Sequence, residues 1–399
     1  MINVRDKHIP ELDGIRGVAC LGIIVAHCFL GIMSFPGGSP GQILTVFLLG
    51  GVDLFFVLSG FLIGGILIDN RNAANFFSAF WTRRIGRIFP ALYVLVASYV
   101  AILIVRRNFD LPFLDAWLLQ APVHSPLWYA TFTQSVPFVM TDWGPRWMGV
   151  TWSLAIEEQF YVIFPFLVYF LSHRSLIVTV VSAAIFAPIC RILVDYNFGH
   201  VASYVLLPCR MDALLLGVLA AMVIRSPVAL ERARNYRFLI DFVIICLAIW
   251  IAFPGPLGTW LNSQGKFLSS LDSNIHYTKQ ALLFALAILR IFLYPRGWYH
   301  TILTWKPLTG LGLVSYGLYL YHQAVNGLVH GLLFGKEPQV DSLEQAAAAF
   351  LVMGTAILLA TLSYFYFEMP IRRLAQRVKF RSPDAIGYCE AEQKSRVPV

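Results

Sequence analysis

Ten apolar runs, each about as long as a bilayer is thick, constrain this chain more than any other feature. They fall at residues 12–33, 43–68, 88–105, 152–171, 176–195, 203–224, 238–254, 278–294, 311–334 and 346–367. A helix needs about 20 apolar residues to cross roughly 30 Å of hydrocarbon. Of the 399 residues, 58% are hydrophobic and 13% charged, against roughly 25% charged in a soluble domain. The short alternating segments of a transmembrane β-barrel are absent. The predicted fold class is all-α: a polytopic helical membrane protein of about ten transmembrane helices, embedded in a lipid bilayer.

The loops then set the orientation. With the amino terminus inside, one side collects Arg71, Arg83, Arg84, Arg87, Arg174, Arg225, Arg232, Arg234, Arg237, Arg296 and Lys306. The carboxyl tail adds Arg372, Arg373, Arg377, Lys379 and Arg381, and Arg106–Arg107 alone run against the pattern. Ten spans with both termini cytoplasmic fit the positive-inside rule. The net charge of +8 therefore reads as loops at a membrane, and no nucleic-acid partner is expected. The first run holds charges and lacks a small-residue cleavage site, so it is not a removable signal peptide. The six cysteines show neither metal-ligand spacing nor a disulfide framework; they read as small buried hydrophobes, and no metal is expected. Residues 106–151 are aromatic and proline-broken. They read as an outer loop with a short re-entrant helix, or as an eleventh span that would invert everything downstream. Residues 255–277 are polar and turn-rich and are expected to help line an outer opening. The membrane domain is assigned to 1–375, and the polar tail 376–399 is expected to be disordered.

Charged residues inside the runs are the candidates for function, because at bilayer depth each costs several kcal/mol unless it faces a polar interior. Asp13, Arg16 and His27 lie in the first run. Arg16 and His27 are eleven residues apart, which places them on one helical face, roughly 16–17 Å apart along the axis. Asp53 sits in GGVDLFFVLSGFLIGG and needs a partner such as His27 or an arginine, unless it caps a helix broken at Gly50–Gly51. In the same stretch Gly60 and Gly64 read as a close-packing pair. Arg83, Arg84 and Arg87 stand just before the third span, as anchors or as a phosphate site. The fourth span opens TWSLAIEEQFY, where Thr151 or Ser153 would cap the helix in a capping box. Glu157 then falls at the depth of His27, which permits a carboxylate-oriented histidine base. Arg210 with Asp212 reads as an ion pair, and His322, near mid-span among tyrosines, as an interhelical hydrogen-bond partner.

Read in order, LDGIRGVACLGIIVAH, GVDLFFVLSGFLIG, FWTRRIGRIFPALY, TWSLAIEEQFY, PCRMDALLLG, GLVSYGLYLYH and YFYFEMP resemble the successive blocks of acyltransferase family 3. These are membrane O-acyltransferases that acetylate O-antigen, exopolysaccharide and other sugars. The resemblance spans roughly residues 9–375. It implies acyl-CoA, commonly acetyl-CoA, as co-substrate with no bound cofactor, a carbohydrate or glycolipid acceptor, and residence in the bacterial inner membrane. It implies Arg16 and His27 as essential, with roles for Asp53, Glu157, Arg210 and the Arg83–Arg84–Arg87 cluster. Some members carry a further extracytoplasmic hydrolase-like domain; the expectation here is the stand-alone form. The resulting expectation is that donor phosphates lie near Arg83, Arg84 and Arg87. His27, oriented by Asp53 or Glu157, acts as base, and Arg16 or Arg210 stabilises donor or oxyanion charge. A proton-coupled transporter, or an acyltransferase acting on a lipid or small metabolite, fits the same composition.

Overall fold

The structure, a computed structural model, describes residues 9–30, 39–109, 122–141, 143–252, 266–294 and 297–382. Ten long helices run through these residues. Helix α1 is Pro10–Val25, continued by a π-helical turn Ala26–Leu30. A short helix Pro40–Leu49 leads into α2, Gly51–Asp69. Then follow α3 Phe76–Asn108, α4 Thr151–Phe170, α5 His173–Phe198, α6 Leu207–Arg225, α7 Arg237–Ala252 and α8 Lys266–Leu293. Helix α9 is Lys306–Phe334, and α10, Leu343–Ser363, ends in a π-helical turn Tyr364–Glu368 before the short helix Met369–Gln376. No strand occurs among the described residues. The chain is an all-α, multi-pass membrane protein.

Eight of these segments are long and apolar enough to cross a membrane. Helix α7 with the preceding Pro227–Asn235, bent by 70°, makes a ninth. Helix α9 is long enough, at 29 residues, but interrupts its apolar surface with the polar residues discussed below. Several boundaries differ from the sequence reading. Helix α3 starts twelve residues before the apolar run at 88, because its basic first turns pack on the protein instead of ending at the membrane edge. At 33 residues it is about 50 Å long. Helix α8 already includes 266–277, half of the segment read as turn-rich. Its polar side chains find protein partners there, the buried Asn274 donating to Asp195 at 3.0 Å; residues 255–265 lie outside the described residues. The 106–151 stretch holds no eleventh span among its described residues. It forms three short helices, Pro126–Ala130, Ser135–Met140 and Arg146–Gly149; residues 110–121 and 142 lie outside the described set. Past the sequence boundary at 375, the chain stays against α3: Asn75 donates to Lys379 O at 2.9 Å, and Arg381 N donates to Asn75 Oδ1 at 2.9 Å. The rest of the expected disordered tail, 383–399, is outside the described residues.

Two helix pairs frame the interior, α2 along α6 and α1 along α9. Both depend on glycine. A Cβ on Gly60 would lie 1.8 Å from Leu214 O, and one on Gly312 1.9 Å from Asp13 O. Only bare Cα atoms let these backbones touch, which bears out the close-packing reading of Gly60. The faces pointing away from these pairs are apolar and exposed, as on α5, where Val178, Ile185 and Phe186 are open. Such a surface suits lipid. The described chain ends meet: Asp13 and Gln376 line one cavity. That end of the bundle is basic, and holds the Arg225–Asp69 pair at 2.7 Å and Arg71, which donates to Tyr169 O at 3.3 Å.

Candidate active site

The interior polar residues fall into two groups joined by cavities. At the basic end, Arg16, Arg83, Arg84, Arg87 and Arg372 surround a cavity of about 250 Å³. A second, of about 320 Å³, shares Arg16, Arg87 and Arg372 and adds Glu368 and Arg373. So many guanidinium groups around shared space repel one another unless an anion sits among them. Arg16 is tied to Asp13 at 2.5 Å one turn away. Arg83 is partly committed elsewhere: its Nε donates to Val378 O at 2.8 Å and its guanidinium covers the Phe380 ring. Arg84, stacked over Phe80 and Tyr161, keeps a buried Nε without a hydrogen bond.

Arg16, Arg84 and Arg87 also border a narrow cavity of about 100 Å³ that runs deeper, past Ser59, Glu157 and Tyr161. There Tyr161 Oη donates to Glu157 Oε2 at 3.3 Å and is hydrogen-bonded to Ser59. Ser153 lines the same cavity, its hydroxyl 2.8 Å from Tyr319 Oη. Tyr319 and Val52 are shared with a fourth and larger cavity of about 660 Å³, on whose wall His27 stands. These two side chains stand between the cavities of the basic end and the far chamber.

His27 is set in the π-helical turn that ends α1, a local widening often found at functional positions. Its Nδ1 lies 2.9 Å from Nε2 of His322 on α9, with the two rings stacked at 5.1 Å. His322 is fully buried, and its own Nδ1 lies 2.7 Å from Tyr319 O. A carbonyl oxygen only accepts, so the proton sits on His322 Nδ1 and its Nε2 is the acceptor. His27 must then donate from Nδ1. Its Nε2 then carries the lone pair, on a residue that lines the chamber, which is the tautomer a general base requires.

The placement corrects several expectations. His27 is oriented by His322, not by Asp53 or Glu157. Asp53 is paired with Arg210 at 2.8 Å, both nearly fully buried, and Glu157 belongs to the Ser59–Tyr161 group. Asp212 pairs with Arg191, not with its neighbour Arg210. Arg210 lies in a cage of Phe56, Trp152, Tyr204 and Tyr277, 4.1 Å from the last ring, and lines none of the four cavities. Arg16 is about 16 Å of helix rise from His27, which leaves it only the donor-side half of its expected role. The capping box does not form. Val150 occupies the cap position, and the hydroxyls of Thr151 and Ser153 donate backwards to Met148 O and Val150 O. Sequence reasoning passed over Gln323 and Arg372. The first adjoins His322 in the chain; the second was read only as part of a basic tail.

The model of a family described as an acyltransferase domain matches residues 9–365. The chain belongs to the acyltransferase 3 family. Among curated proteins it is 29% identical over 384 residues to the putative peptidoglycan O-acetyltransferase YrhL of Bacillus subtilis, covering 92% of this chain and 55% of that one. It is 28% identical over 380 residues to the O-acetyltransferase OatA of Staphylococcus aureus, covering 92% and 58%. The peptidoglycan O-acetyltransferase OatA of Listeria monocytogenes is 28% identical over 382 residues, at 92% and 56%. The chain thus spans little more than half the length of these family members. No solved structure matches it significantly.

Proposed function

We propose that this chain is an integral-membrane O-acyltransferase that moves an acetyl group from acetyl-CoA to a hydroxyl of a carbohydrate. One observation carries the reading. A histidine with a free Nε2 stands at one end of a series of cavities, and an arginine cluster opens the other. The basic end faces the cytoplasm by the positive-inside rule, and the protein resides in the bacterial cytoplasmic membrane. Donor phosphates bind Arg84, Arg87, Arg16 and Arg372, whose planar forks suit phosphate oxygens. The pantetheine arm runs inward past Ser59 and Glu157 toward Tyr319. The acceptor comes from the opposite side. Its named relatives favour a peptidoglycan-like glycan over lipopolysaccharide or exopolysaccharide.

The acceptor oxygen attacks the thioester carbonyl as His27 Nε2 takes its proton. The developing imidazolium is held by the His322 and Tyr319 O chain. The tetrahedral intermediate then collapses, the C–S bond breaks, and the thiolate of CoA recovers the proton from His27. The products are the sugar ester and free CoA. Direct transfer suffices: Ser59 is hydrogen-bonded to Tyr161, and no described cysteine is hydrogen-bonded to a histidine.

Radiolabel from acetyl-CoA should appear as ester on glycan in membranes holding the wild-type chain. His27→Gln should lower the rate about a hundred- to ten-thousandfold. Full transfer by His27→Gln at normal protein level refutes the role given to His27.

A further inference from the structure

The far chamber differs in character from the basic end. Its described lining includes one arginine and one glutamate, Arg146 and Glu337, and these pair at 3.2 Å. The first cavities are lined by several arginines; among its described lining residues this chamber carries no net charge. Its lining includes Trp143, Trp152 and Tyr204, which pack on one another at an angle. Trp152 and Tyr204 lie 4.3 Å apart between ring centres, and Trp143 meets Tyr204 edge-on at 5.7 Å. Arg210 packs against two of these rings, 5.1 Å from Tyr204 and 5.6 Å from Trp152, and the buried ion pair to Asp53 fixes it there. Gln323, which directly follows the buried His322, also lines the chamber, as does His27.

We propose that this chamber is the acceptor subsite for one uncharged, hydroxyl-bearing sugar ring, packed against Trp143 and Tyr204 and hydrogen-bonded by Gln323 and the Arg146–Glu337 pair. It rests on the acyltransferase reading above and names the acceptor side of that site. The electron-rich faces of aromatic rings attract the C–H face of a pyranose, whose hydrogens are made partly positive by neighbouring oxygens. The ring's equatorial hydroxyls then point at planar amide, guanidinium and carboxylate groups, which offer donors and acceptors together. The volume of about 660 Å³ lies within the range of sites for small ligands, about 300–1,000 Å³. A lipid tail would strand Gln323, Arg146 and Glu337 against hydrocarbon, at about 1–3 kcal/mol for each unsatisfied group. An anionic ring would meet Glu337 with no surplus cation to offset it.

The test uses the full chain in lipid nanodiscs, in two arms. In the first, without donor, chitotetraose (neutral, built of N-acetylglucosamine) and tetragalacturonate (anionic, of equal length) are titrated by calorimetry. Wild type should bind chitotetraose at least about tenfold more tightly, equivalent to about 1.4 kcal/mol. Gln323→Leu should weaken that binding about tenfold. Glu337→Gln makes the chamber net positive and should narrow or reverse the preference, which loss of packing alone would not do. Trp143→Ala should weaken both tetramers. If that variant fails to accumulate, the glutamine and glutamate variants, both at the cavity surface, carry the test. Equal binding of the two tetramers by wild type, or a preference unmoved in Glu337→Gln, overturns the subsite. The second arm adds acetyl-CoA and follows ester formation. The acceptor KM should rise in Gln323→Leu while the donor KM stays constant; the reverse pattern overturns the assignment. If the acyltransferase reading fails, wild type makes no ester on any glycan while the binding arm still reports. If only the subsite fails, ester forms but acceptor KM and preference do not move.

Discussion

Replacing His322 tests the central geometry most directly, because His322 itself lines neither the arginine cavities nor the chamber. It works through His27. In the structure its Nε2 accepts the His27 Nδ1 proton at 2.9 Å, and its Nδ1 donates to Tyr319 O at 2.7 Å. His322→Leu removes the acceptor and leaves His27 Nδ1–H without a partner on that side. Leaving a buried donor unsatisfied costs about 1–3 kcal/mol. The imidazolium that forms in the transition state loses the same contact when it needs it most, so the cost falls on the barrier. At 1.36 kcal/mol per tenfold, kcat should fall about five- to 150-fold. His322→Gln keeps a side-chain carbonyl that can accept the proton, and should recover much of the loss. Both donor and acceptor KM should stay near wild type, since His322 lines neither binding region. The assay is steady-state transfer of radiolabelled acetyl to glycan by protein in nanodiscs, with size-exclusion profiles confirming folded protein. A His322→Leu protein with kcat within about twofold of wild type would sink the relay. So would a loss that Gln does not relieve, which would mark His322 as packing alone.

Other consequences can be checked alongside. Arg87→Ala should raise the donor KM about ten- to a hundredfold, the worth of one lost charge-assisted hydrogen bond, with acceptor KM unchanged in the same assay. Arg83→Ala should instead show mainly as lower thermal stability, because its Nε already holds Val378 O. Asp53→Ala should destabilise the protein by about 3–5 kcal/mol by leaving Arg210 buried and unpaired. The double replacement Asp53→Leu with Arg210→Met should recover part of that in thermal melts. Gly60→Val should abolish folded protein in membranes, since even a Cβ there would collide with Leu214 O. Gly354→Ala, with nothing within 4 Å, should accumulate normally.

What the sequence determined by itself follows from bilayer physics. A run of apolar residues has one cheap fate in lipid, so the ten helices and the basic end were legible from composition, length and the placement of arginine. Depth was legible too, because helix rise is constant: Arg16 and His27 were correctly set at opposite ends of one face. Gly60 announced a close helix contact. The partners of the polar residues were not legible. His27 meets His322 across 295 positions and Asp53 meets Arg210 across 157. Depth agreement permitted Glu157 beside His27 just as well, and adjacency in the chain suggested Arg210 with Asp212. Only the packing order of the helices chooses among residues of equal depth. That order is decided by which backbones can touch, here α1 on α9 through Gly17 and Gly312, and α2 on α6 through Gly60 and Gly217. The same contacts bring His322 to His27 Nδ1 and leave Nε2 with the lone pair. Helical periodicity tells which side a residue is on; it carries no record of what stands opposite.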